Sequence, residues 1–177
     1  MLTGPNEKMK TAPIFKNPRD NPRIGELLEI IKRMEDKKTI IWCRYTHEIK
    51  DIAKILREDY GEGSTVEYYG ELTKKKREES IDKFTNKARF FVANKACAGY
   101  GLNLQFCSLM IFYSNDWDWA TRSQAEDRIH RIGQKDTVSI IDIYAYGTID
   151  ERIMDCLERK EGLVDWFRGE IKDKQKE

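Results

Sequence analysis

Gln124, Arg128 and Arg131 recur at i, i+4, i+7 in the stretch "QAEDRIHRIGQ" and would share one face of a helix. Two guanidinium groups one turn apart repel each other unless an anion lies between them. Arginine keeps its charge at any physiological pH and grips phosphate through paired hydrogen bonds. The spacing therefore suits an anion-binding edge. It also suits a solvated helix on which Glu126 and Asp127 neutralise the arginines. A parallel line of Ala125, Ile129 and Ile132, rotated by about 100° round the axis, would face the core.

A second stretch with chemical potential is "NKACAGYGLNLQ" (94–105). Its small residues, with Gly99 and Gly101, would let backbone amides approach a phosphate or another domain. It departs from the G-x-G-x-x-G dinucleotide pattern, because position 104 is leucine, and a plain strand-to-helix turn has the same composition. No G-x-x-x-x-G-K-[ST] occurs in the chain, and no Gly-Lys pair at all. Such a chain has no loop of its own to cradle a triphosphate and its magnesium. If the arginines act on a nucleotide, another body must hold it. A third stretch, "TKKKR" (73–77), sets Lys74, Lys75 and Lys76 at a helix start, where the helix dipole favours acids instead. That cost points to phosphate contact; the alternative is a solvated charged face.

The elements that position these residues follow from periodicity. The chain has 177 residues, 40% hydrophobic and 36% charged, with a formal net charge of +1. That is one substantial globular domain with a heavily charged surface, and any basic patch must be local. Residues 1–22 are polar, hold all four prolines and read as a linker or lead-in strap. "RIGELLEIIKRM" is amphipathic through Ile24, Leu27, Leu28 and Ile31. "THEIKDIAKILREDYG" follows, with Thr46 as its expected N-cap and Gly61 as its stop. "TKKKREESIDKF" would bury mainly Ile81 and Phe84. Strand candidates are "TIIWCRY", "STVEYYG", "ARFFVAN", "SLMIFYS" and "VSIIDIYAY". The arginine stretch is expected as a helix over 121–132, with Thr121 and Gln124 as a capping box and Gly133 just past its end. A last helix is expected from Ile149 towards Lys172, interrupted near Gly162. Its final part, "GLVDWFRGEIK", would put Leu163, Trp166, Phe167 and Ile171 on one face, to pack on this domain or to brace a neighbour. Apolar strands alternating with helices predict an α/β fold, a mainly parallel sheet covered on both faces.

Four cysteines in no CxxC pair and only two histidines argue against a zinc site and for reduced thiols in a core. No run of 18 apolar residues suggests a membrane span, and the first residues show no secretory pattern.

In this order the segments resemble the C-terminal RecA-like lobe of Swi/Snf-family ATPases, within helicase superfamily two. The resemblance covers residues 23–160, leaving 161–177 as a C-terminal brace and tail. It is most specific in "QAEDRIHRIGQ", which is similar to the family's motif VI almost letter for letter. "KTIIWCRYTHEIKDI" looks like motif IV. "YYGELTKKKREESIDKF" looks like the motif that follows it, with Gly70, Arg77 and Phe84 in place. "KACAGYGLNLQ" looks like motif V, departing from it at Ala98, where the family often has glycine. The resemblance implies a three-layer RecA-like fold and an ATP-driven translocase on double-stranded DNA. ATP and Mg2+ would be held mainly by an N-terminal RecA-like lobe of the same parent protein. This lobe would supply Arg128 and Arg131 as arginine fingers, with Gln124, Gly99 and Gly101 at the nucleotide and Asn103 with Lys74, Lys75 and Lys76 at the DNA. No metal is expected on this chain, and no activity in isolation. Asp116 and Asp118 of "NDWDWA" are expected to dock their loop as readily as to act in catalysis, and His130 to make an internal hydrogen bond. The compact length suggests a bacterial or phage version, in the cytoplasm; a eukaryotic one would be nuclear. The alternative is a non-catalytic nucleic-acid-binding or regulatory module on the same fold. An independent Rossmann-like enzyme would need a glycine fingerprint after its first strand, which "WCRYTHE" lacks.

Overall fold

The computed structural model describes residues 14–34, 37–99, 104–129 and 137–160. The lead-in segment up to residue 13, the C-terminal stretch 161–177, and Gly101, Asn103, His130, Arg131, Ile132 and Gly133 lie outside the described residues.

Among the described residues, five strands form one sheet in the order β2-β3-β1-β4-β5. They are β1 (Thr39–Cys43), β2 (Thr65–Tyr68), β3 (Phe90–Asn94), β4 (Leu109–Phe112) and β5 (Ser139–Asp142). Every pairing is parallel. Side chains alternate between faces along each strand, and two apolar clusters result. Ile41, Cys43, Phe90, Val92 and Ile111 meet α1 (Pro22–Arg33) and α2 (Thr46–Tyr60) through Leu27, Ile31, Ile52 and Leu56. Ile40, Trp42, Phe91, Met110 and Phe112 meet α3 (Lys74–Asn86) and α4 (Trp119–Glu126) through Phe84 and Ala125. The two clusters are the two interlayer cores of a three-layer fold. Each large side chain wholly buried there contributes about 1.5–3 kcal/mol.

The expected helices form over the described residues, with three shifts at their starts, except that the one expected over 121–132 ends early and the last is described only to Glu158. Asn21 caps α1 by accepting from Arg23 N at 3.0 Å, and Pro22 takes the first helical position, where its missing N–H costs nothing. A 3-10 turn, Pro18–Asp20, precedes it, and Arg19 reaches Asp59 at 2.7 Å on α2. Part of the proline-rich segment is therefore tied to the domain. The N-cap of α2 is Tyr45, not Thr46: Glu48 accepts the Tyr45 N–H at 3.1 Å, so Thr46 is already the first helical residue. Gly61 ends α2 at φ +94°, a conformation that side chains strain to adopt. The N-cap of α4 is Asp118 and not Thr121, as described below. The last described helix, α5 (Ile149–Glu158), is capped by Thr148, which accepts from Asp150 N at 3.2 Å.

All four cysteines are free and buried. Burial pushes the Cys107 thiol up to about 12 and raises Cys43 and Cys97 as well, so these groups stay protonated and inert at neutral pH.

Candidate functional site

A parallel sheet delivers all its strand ends, and the loops that leave them, to one side of the domain. Here the loops after β1, β3 and β4 converge. Asn94, the last residue of β3, donates from Nδ2 to Arg44 O at 2.7 Å and accepts from Ala96 N at 2.8 Å. Ser114, past the end of β4, donates to Glu48 Oε2 at 2.6 Å and accepts from Arg44 N at 2.8 Å. Three strand ends are thus locked to one another by short side-chain bridges.

The glycine loop after β3 begins as a 3-10 helix, Lys95–Gly99, which packs extensively on α4. Lys95 is 1% exposed, and its ammonium lies 2.8 Å from Asp116 Oδ1 without hydrogen-bond geometry to it. Desolvation lowers the Lys95 pKa, while Asp116 pulls it back up. Asp116 also accepts from Asp118 N at 3.2 Å. Asp118 in turn accepts from Thr121 N at 3.1 Å and from the Thr121 hydroxyl, which caps α4 and holds the Asp118 carboxyl below its ordinary value. The two acids flanking Trp117 therefore fasten their loop. The expected capping box on Thr121 yields to Asp118 because a carboxylate placed ahead of the first turn takes the orphan amide first.

Past Glu126 the chain tightens. Arg128 N and Ile129 N bond three residues back, to Ala125 O at 3.2 Å and Glu126 O at 3.1 Å. The expected continuous α-helix therefore ends at Glu126, with a tighter turn over 127–129. The tightening separates Gln124, which is exposed, from Arg128, which turns inwards and is half-buried. Ala125 and Ile129 are fully buried, as the core line requires. The Arg128 carbonyl accepts from Leu104 N at 3.3 Å, which ties the far end of the glycine loop to the arginine turn.

Two arginines on this segment have opposite surroundings. Arg122 is 7% exposed. It forks onto Asp142 at the end of β5, with one contact of 2.8 Å, and donates to Glu126 at 2.7 Å. Its guanidinium stacks 4.0 Å above the Phe112 ring. Arg128 has a buried Nε with no hydrogen-bond partner. Sequence reasoning passed over Arg122, since its acid lies on a later strand; it passed over Lys95 as one letter of a loop. The Asp118 cap was readable as an Asp three residues ahead of Thr121.

Of the remaining expected residues, Gly99 closes the 3-10 helix of the loop. Lys74, Lys75 and Lys76 form the first turn of α3 and are exposed; Thr73 caps them by accepting from Lys76 N at 3.3 Å. They follow β2, whereas the arginine turn follows β4. Among the described residues, no group of three His, Cys, Asp or Glu side chains is placed to hold a metal ion.

Comparison with known proteins adds family evidence. The helicase conserved C-terminal domain matches residues 22–133. The ATP-dependent helicase YqhH of Bacillus subtilis is 31% identical over 86% of this chain and 27% of its own length. The mouse SWI/SNF-related matrix-associated actin-dependent regulator of chromatin, subfamily A member 1, is 37% identical over 77% of this chain and 13% of its own length. The Sulfolobus solfataricus SWI2/SNF2 ATPase core in complex with dsDNA has a similar fold, with a TM-score of 0.63 and 30% identity over 78% of this chain and 29% of that one. The chain thus spans less than a third of the length of these relatives.

Proposed function

Since this chain belongs to the helicase conserved C-terminal domain family, as the C-terminal RecA-like lobe of a Swi2/Snf2-type protein, we propose that it is one half of a two-lobe ATPase that moves on double-stranded DNA. Its N-terminal partner lobe holds ATP and magnesium, and this lobe completes the site with arginine fingers.

The observation that carries this reading is the bare Nε of Arg128. Burying part of a guanidinium without an acceptor costs free energy, and native proteins rarely leave such a group alone. Glu126, one of the two acids that could have neutralised it, is held by Arg122. Among the described residues Arg128 forms no ion pair, and an anion supplied by a facing lobe would suit it. The γ-phosphate of a nucleotide on a facing lobe is such an anion. Arg128, with Arg131, meets the charge that develops there as the phosphoryl group transfers, and Gln124 helps seat the nucleotide. The bridges of Asn94, Ser114 and Lys95 hold the rim still, so little reorganisation is needed when the lobes close.

Gly99 and Gly101 bring the loop backbone to the nucleotide, and Asn103 with Lys74, Lys75 and Lys76 contacts DNA phosphates. The duplex in the Sulfolobus solfataricus complex supports that ligand. Phosphate contact without base reading is what movement along DNA requires. With relatives in a bacterium and a mammal, the compartment follows the host: cytoplasm in one, nucleus in the other.

The test is DNA-stimulated ATP turnover of this lobe alone and joined to its upstream lobe, with Arg128→Ala and Arg131→Ala alongside. Turnover is expected only in the two-lobe form, falling about 10³-fold or more in either variant while ATP still binds. A two-lobe form that turns over normally without both arginines would sink the finger assignment.

A further inference from the structure

Lys95 is 1% exposed, and its ammonium meets Asp116 at 2.8 Å without hydrogen-bond geometry. Lysine is almost never buried so deeply, because an ammonium gives up its water at a high cost. A buried ion pair adds little net stability, since desolvation consumes most of the Coulomb gain. Methionine would fill the same space without that cost. The charge at position 95 is better explained by what it joins.

Lys95 opens the glycine loop, and Asp116 lies between β4 and α4. Asp116 accepts from Asp118 N, and Asp118 caps α4. Asp118 also attracts Lys95 from a distance, while Arg122 repels it. Arg122 is itself held by Asp142 and Glu126, which leaves Asp116 to Lys95. Two residues beyond the end of α4, the Arg128 carbonyl accepts from Leu104 N, at the far end of the same loop. Loop and helix are thus joined at both their ends. The contacts run from Lys95 to Asp116, along α4 to Arg128, and back through Leu104. A closed chain of this kind lets neither part shift without the other.

We propose that Lys95 is a positioning residue for the arginine turn: through Asp116 it sets where α4 begins, and so where Arg128 stands. The proposal rests on the finger reading of Arg128. It gives the glycine loop a direct hold on the group assigned to the γ-phosphate.

The experiment uses the two-lobe protein at saturating DNA, with Lys95→Met and Asp116→Asn. Methionine keeps the buried volume, and asparagine keeps an acceptor for Asp118 N. Both variants should retain the urea midpoint of the 177-residue chain, because Asp116 is 27% exposed and stays in reach of water. Turnover should fall about tenfold or more in each, since a displaced group loses its contact with the transition state. KM for ATP should stay within about twofold. The double variant should be no slower than the slower single one. A readout without turnover comes from the 177-residue chain. The buried Nε–H of Arg128 gives its own heteronuclear NMR signal, assigned by its loss in Arg128→Ala, and that signal should move in both variants. Full turnover in Lys95→Met, an unmoved Arg128 signal, or additive losses in the double variant overturns the proposal. A lowered urea midpoint in Lys95→Met, with full turnover in Asp116→Asn, makes Lys95 a packing residue and overturns it too. Normal turnover in Arg128→Ala sinks the finger reading, and the proposal with it.

Discussion

The two arginines of the α4 segment show how one residue type is used in opposite ways. Arg122 is saturated: two carboxylates and an aromatic face surround it, and all belong to this domain. Arg128 shares its side of the fold yet keeps a buried nitrogen empty. The first fastens the helix to β5. The second has no share in that fastening, because Glu126 is engaged by Arg122. A cation that fastens its own domain and the cation proposed above to meet an outside anion are told apart by their company rather than by their letter.

The sharpest way to break this contrast is to exchange the readouts. Arg122→Ala should cost about 3 kcal/mol in urea unfolding, since it strands Asp142 and removes the stacking on Phe112. Arg128→Met should leave the unfolding midpoint unchanged or slightly raised, because an unsatisfied donor disappears. Equal destabilisation by the two would erase the distinction. Asp118→Ala should cost about 1 kcal/mol through loss of the α4 cap. The Asp118 carboxyl is held below its ordinary value by Thr121, so its contribution is full above that ordinary value and fades as acid takes the pH through the lowered one. Wild-type and variant stabilities should therefore converge in acid; a constant gap at all pH values would mean that the carboxylate charge is irrelevant. The smallest effect belongs to the lysines of α3. Lys75→Ala in the two-lobe protein should flatten the slope of log affinity for DNA against log salt by about 0.9, with ATP turnover at saturating DNA unchanged. An unaltered slope would leave Lys75 a solvated side chain.

The layers were legible in the sequence because they rest on local periods. Ile40 and Trp42 face one way, Ile41 and Cys43 the other, and the stripes of α1 and α2 fit the second face. The strand order was not legible: pairing Thr39 with Phe90 and Leu109 depends on contacts far apart in the chain. The same divide runs through the site. Arg128 was marked by its spacing. The clamp that makes it meaningful, Arg122 on Asp142, joins a helix to a later strand and leaves no local trace. The misplaced cap at Thr121 is a different kind of miss, since Asp118 was in view and binds the orphan amide better than a hydroxyl does.

The central position of β1 has a consequence for synthesis. It is the first strand to be made, yet its neighbours end at Asn94 and Phe112. A ribosome adding roughly 5–20 residues per second releases those segments seconds after the apolar run "TIIWC". During that interval the middle of the future sheet has both edges open. The helix α1 precedes it and α2 follows it at once, and these two cover one face, while Phe84 of α3 reaches the other face later. The amphipathic stripes of these two helices therefore act as an early escort for the nascent strand, well before they become one layer of a finished domain.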